Sequence, residues 1–267
     1  MKRTPAVAGT FYPANAASLG RLVEEFSLPE QKRIKAKGIV SPHAGYIYSG
    51  SVAGKVYSGV EVPGTVIVIG PNHTGYGSKA GILTEGVFSM PGFSMEIDHE
   101  LAVSIMKNSD AIEEDSDSHA HEHSLEVQLP FIHYHNPSAR IVPLCVMGRG
   151  YDFVSSLGNA LAKSIKDSGK DVLIVASSDM THYESQQIAR EKDNLAIEKV
   201  IELDPFGLMK ITVERDISMC GVIPVAIMLI SAKQLGAKKA KLVDYKTSGE
   251  VTNDYDEVVG YAGIMVY

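Results

Sequence analysis

VIVIGPNH, residues 66–73, is a run of β-branched apolar residues that ends in a turn and delivers a histidine. Val and Ile suit a pleated, buried surface and Gly70-Pro71 punctuates its end, so the stretch predicts a strand over 65–69 with His73 just beyond the tip. The same grammar recurs twice. GIVSPHAGY, residues 38–46, predicts a strand over 38–41 followed by His43 behind Pro42; LIVASSDMTH, residues 173–182, ends a strand over 171–177 and runs into Asp179 and His182.

Working outward, further strands are expected over 140–147, 241–245 and 258–267, and helical apolar spacing covers 151–166, 186–203, 205–213 and 222–235. Alternation of this kind implies a sheet with helices on both faces. Gly86 and Pro91-Gly92 break residues 81–97 into short extended pieces, which predicts an antiparallel excursion and so a mixed sheet. The acidic stretch EEDSDS, 113–118, reads as a solvated surface connection. With 267 residues, 45% hydrophobic and 21% charged, and no Pro/Gly/Ser-rich linker, the expectation is one α/β domain over 1–267. Its central sheet is expected to be mixed and mostly parallel, with ligands binding outside the carboxyl ends of its strands.

The net charge of −7, without a local basic cluster, argues against a nucleic-acid partner. The start MKRTPAVAGTFYPAN lacks the apolar stretch of a secretion signal, and no apolar run approaches the ~20 residues that span a bilayer. No membrane association and a cytoplasmic location are therefore expected. Cys145 and Cys220 make no disulfide framework and should be thiols there.

The residues that carry chemistry gather after strand ends. His43 and His73, each placed behind a proline at a strand tip, look like a pair of imidazole ligands. Cys220, in SMCGVIP at 218–224, precedes an apolar helix whose dipole favours the thiolate, the form that ligates or attacks; Cys145 sits inside a predicted strand as a small buried hydrophobe. A metal-type site of His43, His73 and Cys220 follows, with Asp179 and His182 as an adjoining acid/base pair. Asp179, three residues before His182, is placed to orient that imidazole or to cap a helix. HAHEHSLEVQLP, 119–130, offers His119, His121 and His123 as a rival site, while Glu122, His123 and Glu126 suit hydrogen bonding around the main pocket.

In order along the chain, AGTFYP at 8–13, PHAGYIYSG at 42–50, GPNH at 70–73, EHSLEVQLP at 122–130, SDMTHY at 178–183 and CG at 220–221 make this sequence similar to the Memo family. That family, called AmmeMemoRadiSam system protein B in prokaryotes, is resembled over essentially the whole length. The resemblance implies a fold similar to class III extradiol dioxygenases, which hold non-haem Fe(II) with two His and one carboxylate and use another His as acid/base. By that resemblance His43 and His73 correspond to the two His ligands, His182 to the acid/base, and Cys220 falls where the dioxygenases place their Glu. A thiolate there is softer and oxidisable, so Fe(II) is the metal expected first, Cu or Zn are alternatives, and ring cleavage is not expected.

The family resemblance also implies a radical-SAM protein and an AMMECR-type protein as partners. Eukaryotic relatives bind phosphotyrosine-containing receptor segments and have Trp where Phe11 stands, whereas this chain has no Trp. Phe11 and Tyr46 are assigned, with His123 and Glu126, to supporting the pocket around an unknown small molecule or peptide. The leading expectation is a metal-binding redox protein of oxidoreductase type with a two-His-one-Cys site, His182 moving protons and Asp179 orienting it. Two alternatives stay open. One is a metal-free Cys220-His182-Asp179 hydrolase; the other is a non-enzymatic peptide- or protein-binding module with a vestigial dioxygenase-like pocket.

Overall fold

The computed structural model describes residues 1–28 and 32–267. In chain order the first half comprises β1 (Lys2–Arg3), α1 (Ala16–Phe26), β2 (Gly38–Ser41), α2 (Tyr46–Ser58), β3 (Thr65–Pro71), β4 (Ala80–Ile82), β5 (Val87–Met90), β6 (Phe93–Glu96), α3 (His99–Lys107), β7 (Glu113–Glu114), α4 (Asp117–Ala120) and α5 (Leu129–His135). The second half runs through β8 (Arg140–Val146), α6 (Tyr151–Ser168), β9 (Val172–Ser177), β10 (His182–Glu184), α7 (Gln186–Ile201), α8 (Pro205–Glu214), α9 (Val222–Gln234), β11 (Ala240–Thr247), α10 (Gly249–Thr252) and β12 (Val258–Val266). Local chemistry marks the helix starts. Asn15, Asp98, Ser185 and Asp204 each accept a backbone N–H of the first turn of α1, α3, α7 and α8, and Pro205 opens α8 where no N–H is needed.

These strands form one α/β domain with a nine-stranded mixed sheet and a three-stranded one. Four neighbours, β2-β9-β3-β8, run parallel. Every residue of β2, β3 and β9 is buried, as a parallel sheet covered on both faces requires. Helix α9 packs on β2, β3 and β9 and is backed by α6, while α2 packs on β2, β11 and β12 and is backed by α1 and α5.

Parallel pairing is less prevalent than expected. Outside the four-strand centre only β4-β7 is parallel in this sheet, whereas β12 runs antiparallel to β2, β10 and β11, and β4 antiparallel to β8. The short connection from β11 back to β12 permits only a reversal of direction, since a parallel crossover needs a dozen or more residues. The excursion at 81–97 divides: β4 joins the large sheet, while β5 and β6 form a hairpin to which β1 adds. Nor is the acidic stretch a purely solvated loop. Asp115 accepts the N–H and hydroxyl of Ser78 and the N–H of Asp117, which holds β7 against β4.

Because β2, β9 and β3 are parallel and adjacent, their carboxyl ends share one rim. Ser41 pairs with Ser177 at the ends of β2 and β9, and Ile69 of β3 pairs with Ala176. His43, Asp179 and His73 each lie two residues past the last residue of these strands.

A candidate metal centre at the strand tips

The rim brings three imidazoles together. His43 and His73 meet edge-on with ring centroids 5.1 Å apart, His123 stands edge-on to His43 at 5.4 Å, and His123 stacks on His73 at 4.6 Å. One donor atom from each of these residues lies within 4.8 Å of the others, a spacing from which a single ion can draw all three.

The tautomers follow from the partners. Ser177 Oγ donates its one proton to Ser124 O (2.6 Å) and receives Gln128 Nε2 (2.8 Å), so its contact with His43 Nδ1 (2.9 Å) is donated by the imidazole. His43 Nε2 is therefore the lone-pair nitrogen. Glu122 Oε1 lies 2.9 Å from His73 Nδ1, and Glu122 Oε2 accepts the His73 N–H at 2.6 Å. Burial pushes the Glu122 carboxyl up, but the His73 hydrogen bond and charge, the Ser124 N–H and His123 together hold it down at about 2. An ionised Glu122 only accepts, so His73 donates from Nδ1 and Nε2 is its nitrogen left for a ligand. His123 Nδ1 stands 3.3 Å from the same carboxylate oxygen. Burial, reinforced by the neighbouring imidazoles, lowers His43 well below its ordinary value and also lowers His123. Both are thus neutral ligand forms.

The two-His-one-Cys ligand set is corrected by this geometry: the mutually close set is His43, His73 and His123, and Cys220 is not a member. Cys220 Sγ is 3.2 Å from His43 Nε2 and accepts the Asp179 N–H at 3.3 Å. Burial, and after it the nearby Asp179 charge, push the thiol up, against the thiolate expected at the start of α9. A protonated sulfur in contact with His43 Nε2 is the consistent arrangement, and an ion taking that lone pair would displace the S–H.

Asp179 also departs from expectation. It caps no helix and does not bond His182. Its Oδ1 accepts the His43 N–H at 2.8 Å, and burial, against the bonds from His43 and Ala44, raises it to about 7. His182 is instead held by Ser218, whose carbonyl lies 3.1 Å from Nδ1 and whose Oγ accepts the His182 N–H at 2.8 Å. Since a carbonyl only accepts, His182 Nε2 is left as a base, and burial lowers its affinity for a proton.

Phe11 sets its edge on His123 at 4.8 Å and lines a cavity of about 660 Å³ with His43, His73, His123, Asp179 and His182. Tyr46 and Glu126 are not in that lining. Tyr46 is buried behind it with its hydroxyl on Val127 O (2.7 Å), and Glu126 binds Arg3, Tyr12 and the N–H groups of Ala6 and Val7. The histidine tract divides rather than forming its own site: His119 is buried with Nε2 2.9 Å from Gly81 O, and His123 enters the centre. Sequence reasoning missed Ser177 and understated Glu122, whose signal was a carboxylate between His121 and His123.

The fold and rim define an α/β protein with a three-imidazole cluster able to hold a metal. A family model described as Memo-like protein matches residues 3–265. MEMO1 family proteins of Methanococcus maripaludis strain C5 and Methanopyrus kandleri are 43% and 39% identical to it, with 100% and 99% of both chains covered. The chain belongs to the Memo family. Among solved structures, that of an uncharacterized protein from Escherichia coli K12 is similar with TM-score 0.58 and 11% identity, covering 85% of this chain and 98% of that one, a likeness of fold alone.

Proposed function

We propose that His43, His73 and His123 hold one divalent first-row metal ion, Fe(II) in the first place with Cu or Zn as alternatives, and that the adjoining cavity presents a small molecule to it. The observation that carries this reading is the tautomer set. Ser177 and Glu122 engage Nδ1 of His43 and His73, so Nε2 is the nitrogen each has left for an ion within a cluster whose donor atoms lie within 4.8 Å of one another, and burial keeps His43 and His123 uncharged. Imidazoles whose other nitrogen is engaged in this way are the usual metal ligands. A bound ion would supply Lewis acidity and open coordination positions.

The chain's own residues supply the rest. His182 Nε2 takes or returns a proton at the cavity, Ser218 fixes its ring, and Asp179 holds the backbone of His43. Family membership supports a dioxygenase-like fold for the site, and a radical-SAM and an AMMECR-type protein as partners. Two free thiols fit a reducing cytoplasm, and among the described residues no helix is long and apolar enough to cross a membrane. Exposed Ile47 and Tyr183 at the mouth favour a second reading, in which a peptide side chain enters the same cavity.

Anaerobic purification followed by elemental analysis tests the centre. We expect metal in the wild type and its loss in His43→Ala and His123→Ala. Full metal retention in His123→Ala would exclude the three-imidazole set.

A further inference from the structure

Ser218 and Cys220 have a cavity on each side. Beyond the one at the metal centre, they also line a chamber of about 560 Å³, within the usual range for small-molecule sites. It lies past the carboxyl ends of β3 and β8 and is closed by α8 and the start of α9. Its walls are mainly thioether and aliphatic: Pro71, Met147, Met209, Val213, Met219 and Ile223. Val213, on α8, is 82% exposed, an apolar side chain left for a ligand to cover.

The cation of this lining is Arg149, carried by the turn Gly148-Arg149-Gly150. Gly150 has φ +94°, a conformation that side chains rarely adopt, so the turn that presents Arg149 is written into the sequence. Among the described residues Arg149 is exposed and makes no ion pair.

We propose that this chamber binds an elongated apolar carboxylate: its chain lies among Met209, Met219 and Ile223, its carboxylate meets Arg149, and its far end points past Ser218 and Cys220 toward the metal centre. Only that last orientation rests on the metal-centre reading. One planar guanidinium matches the two oxygens and single charge of a carboxylate, whereas a phosphate dianion would leave a charge unmatched. Unbranched methionines adapt to a flexible chain. The chamber also touches the centre's supports, because Pro71 and Asn72 lead directly into His73, and Cys220 reaches His43.

Calorimetric titration of the full-length, metal-free chain with octanoate, octanol and octyl phosphate tests this. Octanoate should bind saturably and more tightly than octyl phosphate. Arg149→Ala should weaken octanoate about tenfold or more and leave octanol unchanged. Met209→Trp, or Val213→Trp at the exposed position should the first not fold, should fill the chamber and abolish binding. No saturable octanoate binding, or binding indifferent to both tryptophans, overturns the chamber; tighter octyl phosphate, or indifference to Arg149→Ala, overturns the carboxylate. For orientation, suberate added to the Co(II)-loaded chain should shift its visible bands where octanoate does not, and an unmoved spectrum overturns that element. Failure of Co(II) to bind while octanoate still binds would count against the metal centre and leave the chamber standing.

Discussion

Glu122 and Glu126 are four residues apart and both sealed from solvent, yet one organises a site and the other a fold. Glu126 takes the Arg3 guanidinium, the Tyr12 hydroxyl and the N–H groups of Ala6 and Val7, and so ties the chain's start, with Phe11, to the domain. Glu122 takes the N–H groups of His73, His123 and Ser124 and the ring of His73, whose other nitrogen faces the cavity. A buried carboxylate is tolerable only where donors surround it. What those donors do with their remaining valence decides whether the result is structural or chemical.

Breaking the structural member should have the largest effect. Glu126→Ala leaves Arg3 buried and unpaired, which we expect to cost about 3–5 kcal/mol of stability in denaturant titration while metal bound per folded chain stays unchanged. A cost below about 1 kcal/mol would erase the contrast. Glu122→Gln releases the His73 tautomer and should weaken metal binding about 10- to 100-fold, measured by competition with a chelator, with a smaller loss of stability than Glu126→Ala.

Asp98 gives a third case, distant from the centre. Burial raises it, but Lys170 (2.8 Å), the Thr65 hydroxyl and the Leu101 N–H outweigh that and hold it below its ordinary value of 3.8. Its folded-state pKa is depressed, so its contribution is complete above the unfolded value and is lost as pH falls through the folded one. Asp98→Asn should therefore destabilise by about 1–2 kcal/mol near neutrality and flatten the acid limb of the stability curve. An unchanged acid limb would show that the pairing carries no linkage. Smallest of all, His182→Ala should keep the metal stoichiometry and change stability by about 0.5 kcal/mol or less, since its partner Ser218 is exposed to water. Loss of the ion in that variant would make His182 a ligand.

The parallel centre was legible because β2, β3, β8 and β9 are unbroken apolar runs ended by turn residues, and the tips of β2, β3 and β9 carried His43, His73 and Asp179 with them. Helix α2 was not legible, for it is buried around much of its circumference and meets α1 through glycines: a Cβ on Gly54 would stand 2.2 Å from the Phe26 carbonyl oxygen. Its contact face therefore shows no apolar period. The third imidazole was hidden differently. HAHEH offers three equivalent histidines, and only the placement of Glu122 against His73 selects His123 over His119. Cys220 was placed on the correct rim, but spacing along the chain carries no information on how burial changes a thiol.

The equal two-residue offset of His43, Asp179 and His73 from neighbouring parallel strands has a mechanical consequence. Two of the three imidazoles leave the chain two residues past ladder-bonded strands, so their points of departure are set by the sheet, whereas His123 comes from the segment between α4 and α5. An ion of the wrong radius would then be accommodated on the His123 side before the two strand-tip anchors moved, and discrimination by size would rest on the segment that Glu122 holds.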